Sequence, residues 1–116
     1  MPEPTAQDRI ARFEALVAQF PDNVLPVFSL AQAYLDAEDW VMAERLFGRV
    51  EALKPDYMMA VVHRATCQLQ LGDLDAARAT AERGRVIAVA QGHTGPRDDC
   101  EALIERIDAE RDGGGI

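Results

Sequence analysis

A chain of 116 residues, 48% apolar and 28% charged, can bury one continuous core without disulfides or metal and is too apolar to stay disordered. Its net charge of −8 repels phosphate backbones and anionic bilayers, so no nucleic acid and no membrane are expected as partners, whereas a basic partner would be drawn in. The Met1–Thr5 segment has neither the basic nor the apolar part of a signal sequence, and no run approaches the ~18 apolar residues of a membrane span, so the expected location is cytoplasmic.

In chain order, Thr5-x-x-Asp8 has the spacing of a capping box and predicts a helix over 5–20 with Ile10, Phe13, Leu16 and Val17 inward. A second helix over 24–37 places Val27, Leu30, Ala31, Tyr34 and Leu35 on one face. Glu38-Asp39 interrupts it, and Asp39 is an N-cap for a third helix carrying Ala43, Leu46, Phe47, Val50 and Leu53. Pro55 stops that helix, because its ring pushes Lys54 out of the α region.

The plan then repeats. Met58–Leu71 is a helix ended by Gly72, Asp73 caps the next, and that one runs to about Gln91 before Gly92 because Val89 stands where the first unit has Pro55. Pro96 opens a last helix over 96–111, with Asp98 and Asp99 complementing its dipole and Cys100, Leu103, Ile104 and Ile107 forming an inward stripe. Gly113-Gly114-Gly115 ends regular structure, leaving 112–116 as a flexible tail.

A step of 34 residues relates Pro21-Asp22 to Pro55-Asp56, Val27 to Val61, Ala31 to Ala65, Leu35 to Leu69, Asp39 to Asp73 and Ala43 to Ala77. Within the period, Val27-x₂-Leu30-Ala31-x₂-Tyr34, then Ala43-x₃-Phe47, then Pro55, resembles the tetratricopeptide-repeat (TPR) signature, with Val27 for tryptophan and Ala31 for glycine. The second copy, Val61-x₂-Arg64-Ala65-x₂-Gln68 with Ala77-x₃-Ala81, is weaker, yet Ala65, Ala77 and Gly84 keep the small residues that let helices approach. The chain looks like a small stand-alone bacterial-type member of that family, the likeness covering about residues 8–91.

The resemblance implies an all-α, right-handed alpha-alpha solenoid of six helices in a single domain. It has an N-terminal half-repeat helix (5–20), repeats at 24–57 and 58–91, and a C-terminal capping helix (96–111) that covers the last apolar face. It also implies protein binding on a concave side lined by the first helix of each pair. The residues carried over are Leu25, Phe28, Ser29, Gln32 and Asp36 from the first repeat, and Met59, Val62, His63, Thr66 and Gln70 from the second. Leu25, Phe28, Met59 and Val62 lie off the stripe that packs the repeat interior, so they form either an exposed apolar interaction surface or, if the helices tilt, part of the ordinary core. The lysines and arginines with which the best-known members grip a terminal carboxylate are missing from these positions, which favours an apolar helical or extended ligand segment.

No chemistry competes with this. His63 reads as a polar surface residue, and His93 has no partner of metal-ligand spacing. Asp98, Asp99 and Glu101 are accounted for by the helix dipole, and Cys67 and Cys100, 33 positions apart, read as small core residues. Trp40 reads as a packing residue between helices. The expectation is therefore no enzyme, no metal and no cofactor, but an adaptor or scaffold that holds a segment of a partner protein. The alternative is a homodimer or a fixed subunit of a larger assembly, covering the same face; a third possibility is a regulatory subunit of an enzyme encoded elsewhere.

Overall fold

Caps and breakers set where the helices begin and end. The computed structural model describes residues 3–113 and shows among them six helices: α1 (Ala6–Gln19), α2 (Val24–Asp36), α3 (Trp40–Leu53), α4 (Met58–Gln70), α5 (Leu74–Gln91) and α6 (Thr94–Gly113). At the head of α1 the Thr5 hydroxyl accepts the Asp8 amide at 3.1 Å and the Asp8 carboxylate accepts the Thr5 amide at 3.0 Å. The Thr5 amide and then the Thr5 hydroxyl hold the Asp8 carboxyl below the usual carboxylate range. Asn23 accepts the Leu25 amide at 3.2 Å, while Asp39 and Asp73, one period apart, accept the Met42 and Ala76 amides at 3.2 and 3.3 Å.

Helix ends follow the same logic. Lys54 is extended (φ −146°, ψ 90°), as the residue before Pro55 must be. Gly72 and Gly92 take left-handed conformations with φ of 79° and 71°. Glu38 stands one period before Gly72 and adopts the same region, φ 59°. An L side chain there costs about 1 kcal/mol, a strain the second repeat avoids by using glycine.

The C-terminal helix departs from expectation. It starts at Thr94 rather than Pro96 and reaches Gly113, while Gly114, Gly115 and Ile116 lie outside the described residues. Proline fits anywhere in a first turn because those N–H groups lack intrahelical acceptors, so Pro96 does not mark the first helical residue. The shift takes Asp98 and Asp99 out of the first turn. Asp98 instead accepts from Arg97 at 3.0 Å, and the dipole account of this pair falls.

Each helix packs against the next in the chain, and α4 also packs against α6. The result is a stack: the radius of gyration is 15.1 Å, against about 13 Å for a compact chain of this length. One cluster joins α1, α2, α3 and α4 through Ile10, Val17, Val27, Leu30, Phe47, Val50, Ala60 and Cys67. Others join α4, α5 and α6 through Met58, Val62, Ala88 and Cys100, and through Leu69, Ala77 and Ile107.

Three ion pairs show which helices share a side. Arg83 of α5 reaches Glu51 of α3 at 2.6 Å, and Glu51 also accepts from Arg64 of α4 at 2.7 Å, while Arg64 donates to Glu44 at 2.9 Å. These bonds lace α3, α4 and α5 together. On the opposite side, the ring of Phe28 in α2 lies 6.2 Å from that of His63 in α4, and α4 meets α6 through Val62 and Leu103.

Two glycines test how tightly this is packed. A Cβ on Gly84 would lie 2.9 Å from Cys100 Sγ and 3.0 Å from Val61 Cγ1, so α4, α5 and α6 converge there with no room for a methyl group. A Cβ on Gly48 would meet only the guanidinium of Arg64, at 3.3 Å, and no backbone. Alanine raises helix propensity at both sites by about 1 kcal/mol. Overpacking reverses the sign at one of them, so Gly84→Ala should lower stability by about 1–2 kcal/mol while Gly48→Ala is neutral or stabilising, read as urea midpoints.

Candidate protein-binding face

The even-numbered helices turn one side to solvent, and the ten residues expected to line a groove fall there at different depths. Leu25 is 65% exposed and Met59 is 42% exposed; both are the second residue of their helix, one period apart. Phe28 and Val62, three residues further on, are rotated by about 300° and so turn back toward the packed stripe. Phe28 is half-buried, its ring 5.7 Å from Phe47 and 5.0 Å from Tyr57. Val62 is only 8% exposed, covered by α6. The four apolar positions therefore divide, Leu25 and Met59 open and Phe28 and Val62 joined to the core.

The polar members line the other half of the face. Ser29 and Gln32 are half-buried, and Gln70 is exposed. Asp36 is exposed and pairs with Arg9 of α1 at 3.1 Å. Thr66 is half-buried, its hydroxyl donating to the Val62 carbonyl at 3.0 Å. His63 is not the surface residue its sequence position suggested: it is half-buried, with its ring 5.2 Å from Phe47.

Burial holds the His63 pKa below its ordinary value of 6.5, with nearby Asp36 pulling weakly the other way. The unfolded chain then binds the proton more readily than the fold. The contribution of neutral His63 is fully present above pH 6.5 and is lost as pH falls through the depressed folded value. Melting temperature should decline as pH falls from 6.5 to that depressed value, ahead of carboxylate titration, and His63→Gln should flatten this step of the profile.

Sequence reasoning missed a contribution from α6. Asp99, Ala102, Leu103 and Arg106 join Val62 and Thr66 around a trough of about 290 Å³. The signal was present: these four residues have i, i+3, i+4, i+7 spacing, offset by one from the inward stripe Cys100, Leu103, Ile104, Ile107. Reading α6 only as a cap hid it, and it also hid Arg106, a cation on a face expected to have none. A second depression, about 470 Å³, opens at the chain turns between Lys54, Met59, Gln91 and His93.

The remaining candidates are structural. Cys67 and Cys100 are fully buried. Burial, then Glu44, pushes the Cys67 thiol up to about 11, and burial raises Cys100 as well, so neither is a thiolate at neutral pH. Trp40 is half-buried against the first cluster. Among the described residues no group of His, Cys, Asp and Glu side chains is arranged to hold a metal ion, and no helix is long and apolar enough to cross a membrane.

Successive hairpins on a 34-residue period, with Ala31, Ala43, Ala65 and Ala77 fully buried at the helix contacts, define a tetratricopeptide-repeat architecture. Known structures agree. PcrH, solved with the chaperone-binding region of PopD, superposes with a TM-score of 0.84 at 23% identity, covering 91% of this chain and 80% of that one. The TPR2B domain of yeast Sti1, solved with an Hsp70 peptide, gives 0.83 at 12% identity over 90% and 84% of the two chains. In sequence, the chain is 33% identical over 72 residues to a tetratricopeptide repeat and J domain-containing co-chaperone of Fusarium oxysporum. The match covers 62% of this chain and 14% of that much longer protein. No protein-family model matches the chain. The chain folds as a tetratricopeptide-repeat domain.

Proposed function

We propose that the face of α2, α4 and α6 binds a segment of a partner protein, making the chain an adaptor or scaffold. The observation that carries this is the open pair Leu25 and Met59, apolar side chains at equivalent positions of two repeats on one face. A solvated protein has no reason of its own to repeat such a pair. PcrH and the Sti1 domain were each solved with a segment of another protein, which supports the same mode of action here. In this reading α1 is a half-repeat, α2–α3 and α4–α5 are the repeats, and α6 is both cap and third wall of the groove.

The ten residues contribute unequally. Leu25 and Met59 supply apolar contact, Gln32, Thr66 and Gln70 supply hydrogen bonds, and Asp36 is already engaged by Arg9. Ser29 and His63 flank the apolar floor made by Phe28 and Val62. Glutamate at Phe28 or Val62 would damage the core, so those substitutions cannot separate binding from folding. The test is the Leu25→Glu/Met59→Glu double substitution. It should reduce partner affinity by about thirtyfold or more, as loss of a binding hot spot does, and change the melting temperature little. Retained binding would dismiss the face. If the unsubstituted chain is a dimer by light scattering and the double variant a monomer, the face is instead a self-association surface.

A further inference from the structure

The trough between α4 and α6 has a feature that the proposed binding face does not require. Its apolar lining is Val62, Ala102 and Leu103, and Asp99 and Arg106, two turns apart along α6, give it opposite charges. Both charged side chains belong to exposed residues, and neither takes part in an ion pair among the described residues. Of the other charges of this helix, Arg97 pairs with Asp98, Asp108 with Arg78 and Arg111 with Asp75, and the remaining acidic residues, Glu101, Glu105, Glu110 and Asp112, do not line the trough. Residues seven apart on a helix are separated by about 10 Å along its axis, too far for Asp99 and Arg106 to neutralise each other by direct contact.

We infer that this trough reads charge order in the bound segment, accepting an apolar side chain flanked by a basic residue on the Asp99 side and an acidic residue on the Arg106 side. This deepens the proposed function and rests on it. The two unpaired charges favour one orientation of the ligand and oppose the reverse, since reversal would set like charges against each other at both ends. Exposed pairs are weak individually, so the arrangement selects direction more than it adds affinity. The occupant this specifies is a segment of another protein with an apolar anchor between opposite charges. A uniformly apolar segment would leave both ends of the trough unused.

The experiment is selection of a displayed library of random linear peptides on the immobilised full chain, in parallel with an Asp99→Arg/Arg106→Asp variant and an Arg106→Gln variant. Circular dichroism checks that each variant melts with the unsubstituted chain. The expected result is enrichment of peptides with an apolar residue between a basic and an acidic one in a single fixed order. The doubly reversed variant should enrich the opposite order, and Arg106→Gln should lose the acidic preference alone. Synthetic peptides of the two orders should differ in affinity by about fivefold, and the preference should fade with added salt. Enriched peptides with no charge order, or with both orders equally, would overturn this inference and leave the binding face standing. No enrichment at all would overturn both, as would a dimer in solution that Arg106→Gln dissociates, since a second copy would then be the occupant.

Discussion

Phe47→Ala should destabilise the domain by about 3–5 kcal/mol, the range for truncating a buried aromatic residue. Phe47 is the largest side chain with no exposure, and it lies where α1–α4 share one core. Its ring is 5.7 Å from Phe28 in an edge-on arrangement and 5.2 Å from His63, so removing it also leaves both of those rings unsupported. Small domains are stable by only about 5–15 kcal/mol, and the loss is a large fraction of that. Urea unfolding followed by far-ultraviolet circular dichroism measures it. A cost below about 1 kcal/mol would mean the neighbouring helices collapse into the space, against the close packing seen here. Phe47→Leu, which retains most of the apolar contact, should recover more than half of the loss.

Arg64→Ala should cost about 2–3 kcal/mol, an unusual figure for a residue that breaks the pattern of the first repeat. The side chain of Glu51 is only 12% exposed and that of Glu44 25%, and Arg64 bonds to both. Its removal leaves Glu44 held by the Gln68 amide alone, at 3.2 Å, and Glu51 held by Arg83 alone. The cost arises less from the lost attraction than from leaving two carboxylates short of partners in a partly dry site. Arg64→Met tests this, because it keeps an aliphatic side chain of similar length and removes the charged guanidinium; it should be nearly as destabilising as alanine. If methionine restores stability, packing and not charge is the reason for arginine.

These two residues show how differently the parts of the fold could be read from sequence. Phe47 was legible, because it falls on the helical stripe and matches the repeat signature. Arg64 occupies the place where the first repeat has Leu30, and in sequence it could be taken only as decay of the pattern. In the structure it is a substitution of one kind of inter-helix contact for another, with its partners 20 and 13 residues away. Gln68, one helical turn later, replaces Tyr34 and joins the same network through Glu44. The weak second repeat is therefore a repeat with a polar seam.

The proposed binding face was half legible. The 34-residue step located Leu25 and Met59, which are open, but it grouped them with Phe28 and Val62, which are packed. Local sequence gives the direction of a side chain around its own helix; it does not say whether another helix stands in front of it. For Val62 the covering helix is α6, whose residues follow by some 40 positions. For His63 the determining neighbours are Phe28 and Phe47, on two other helices.

Helix identity, caps, breakers and the repeat period are local properties, set by backbone sterics and by hydrogen bonds over three or four residues, and for that reason the sequence by itself determined the six helices and the tetratricopeptide-repeat plan. The start of α6 was the exception, because proline is permitted throughout a first turn. Only the tertiary structure decided which apolar residues on the even-helix side stay open, that α6 lines a trough beside α4, and that Asp99 and Arg106 of that trough are in no ion pair among the described residues. Those outcomes depend on which helices stack across the chain, and the sum of many small packing contacts that chooses the stacking leaves no mark on any one short stretch of sequence.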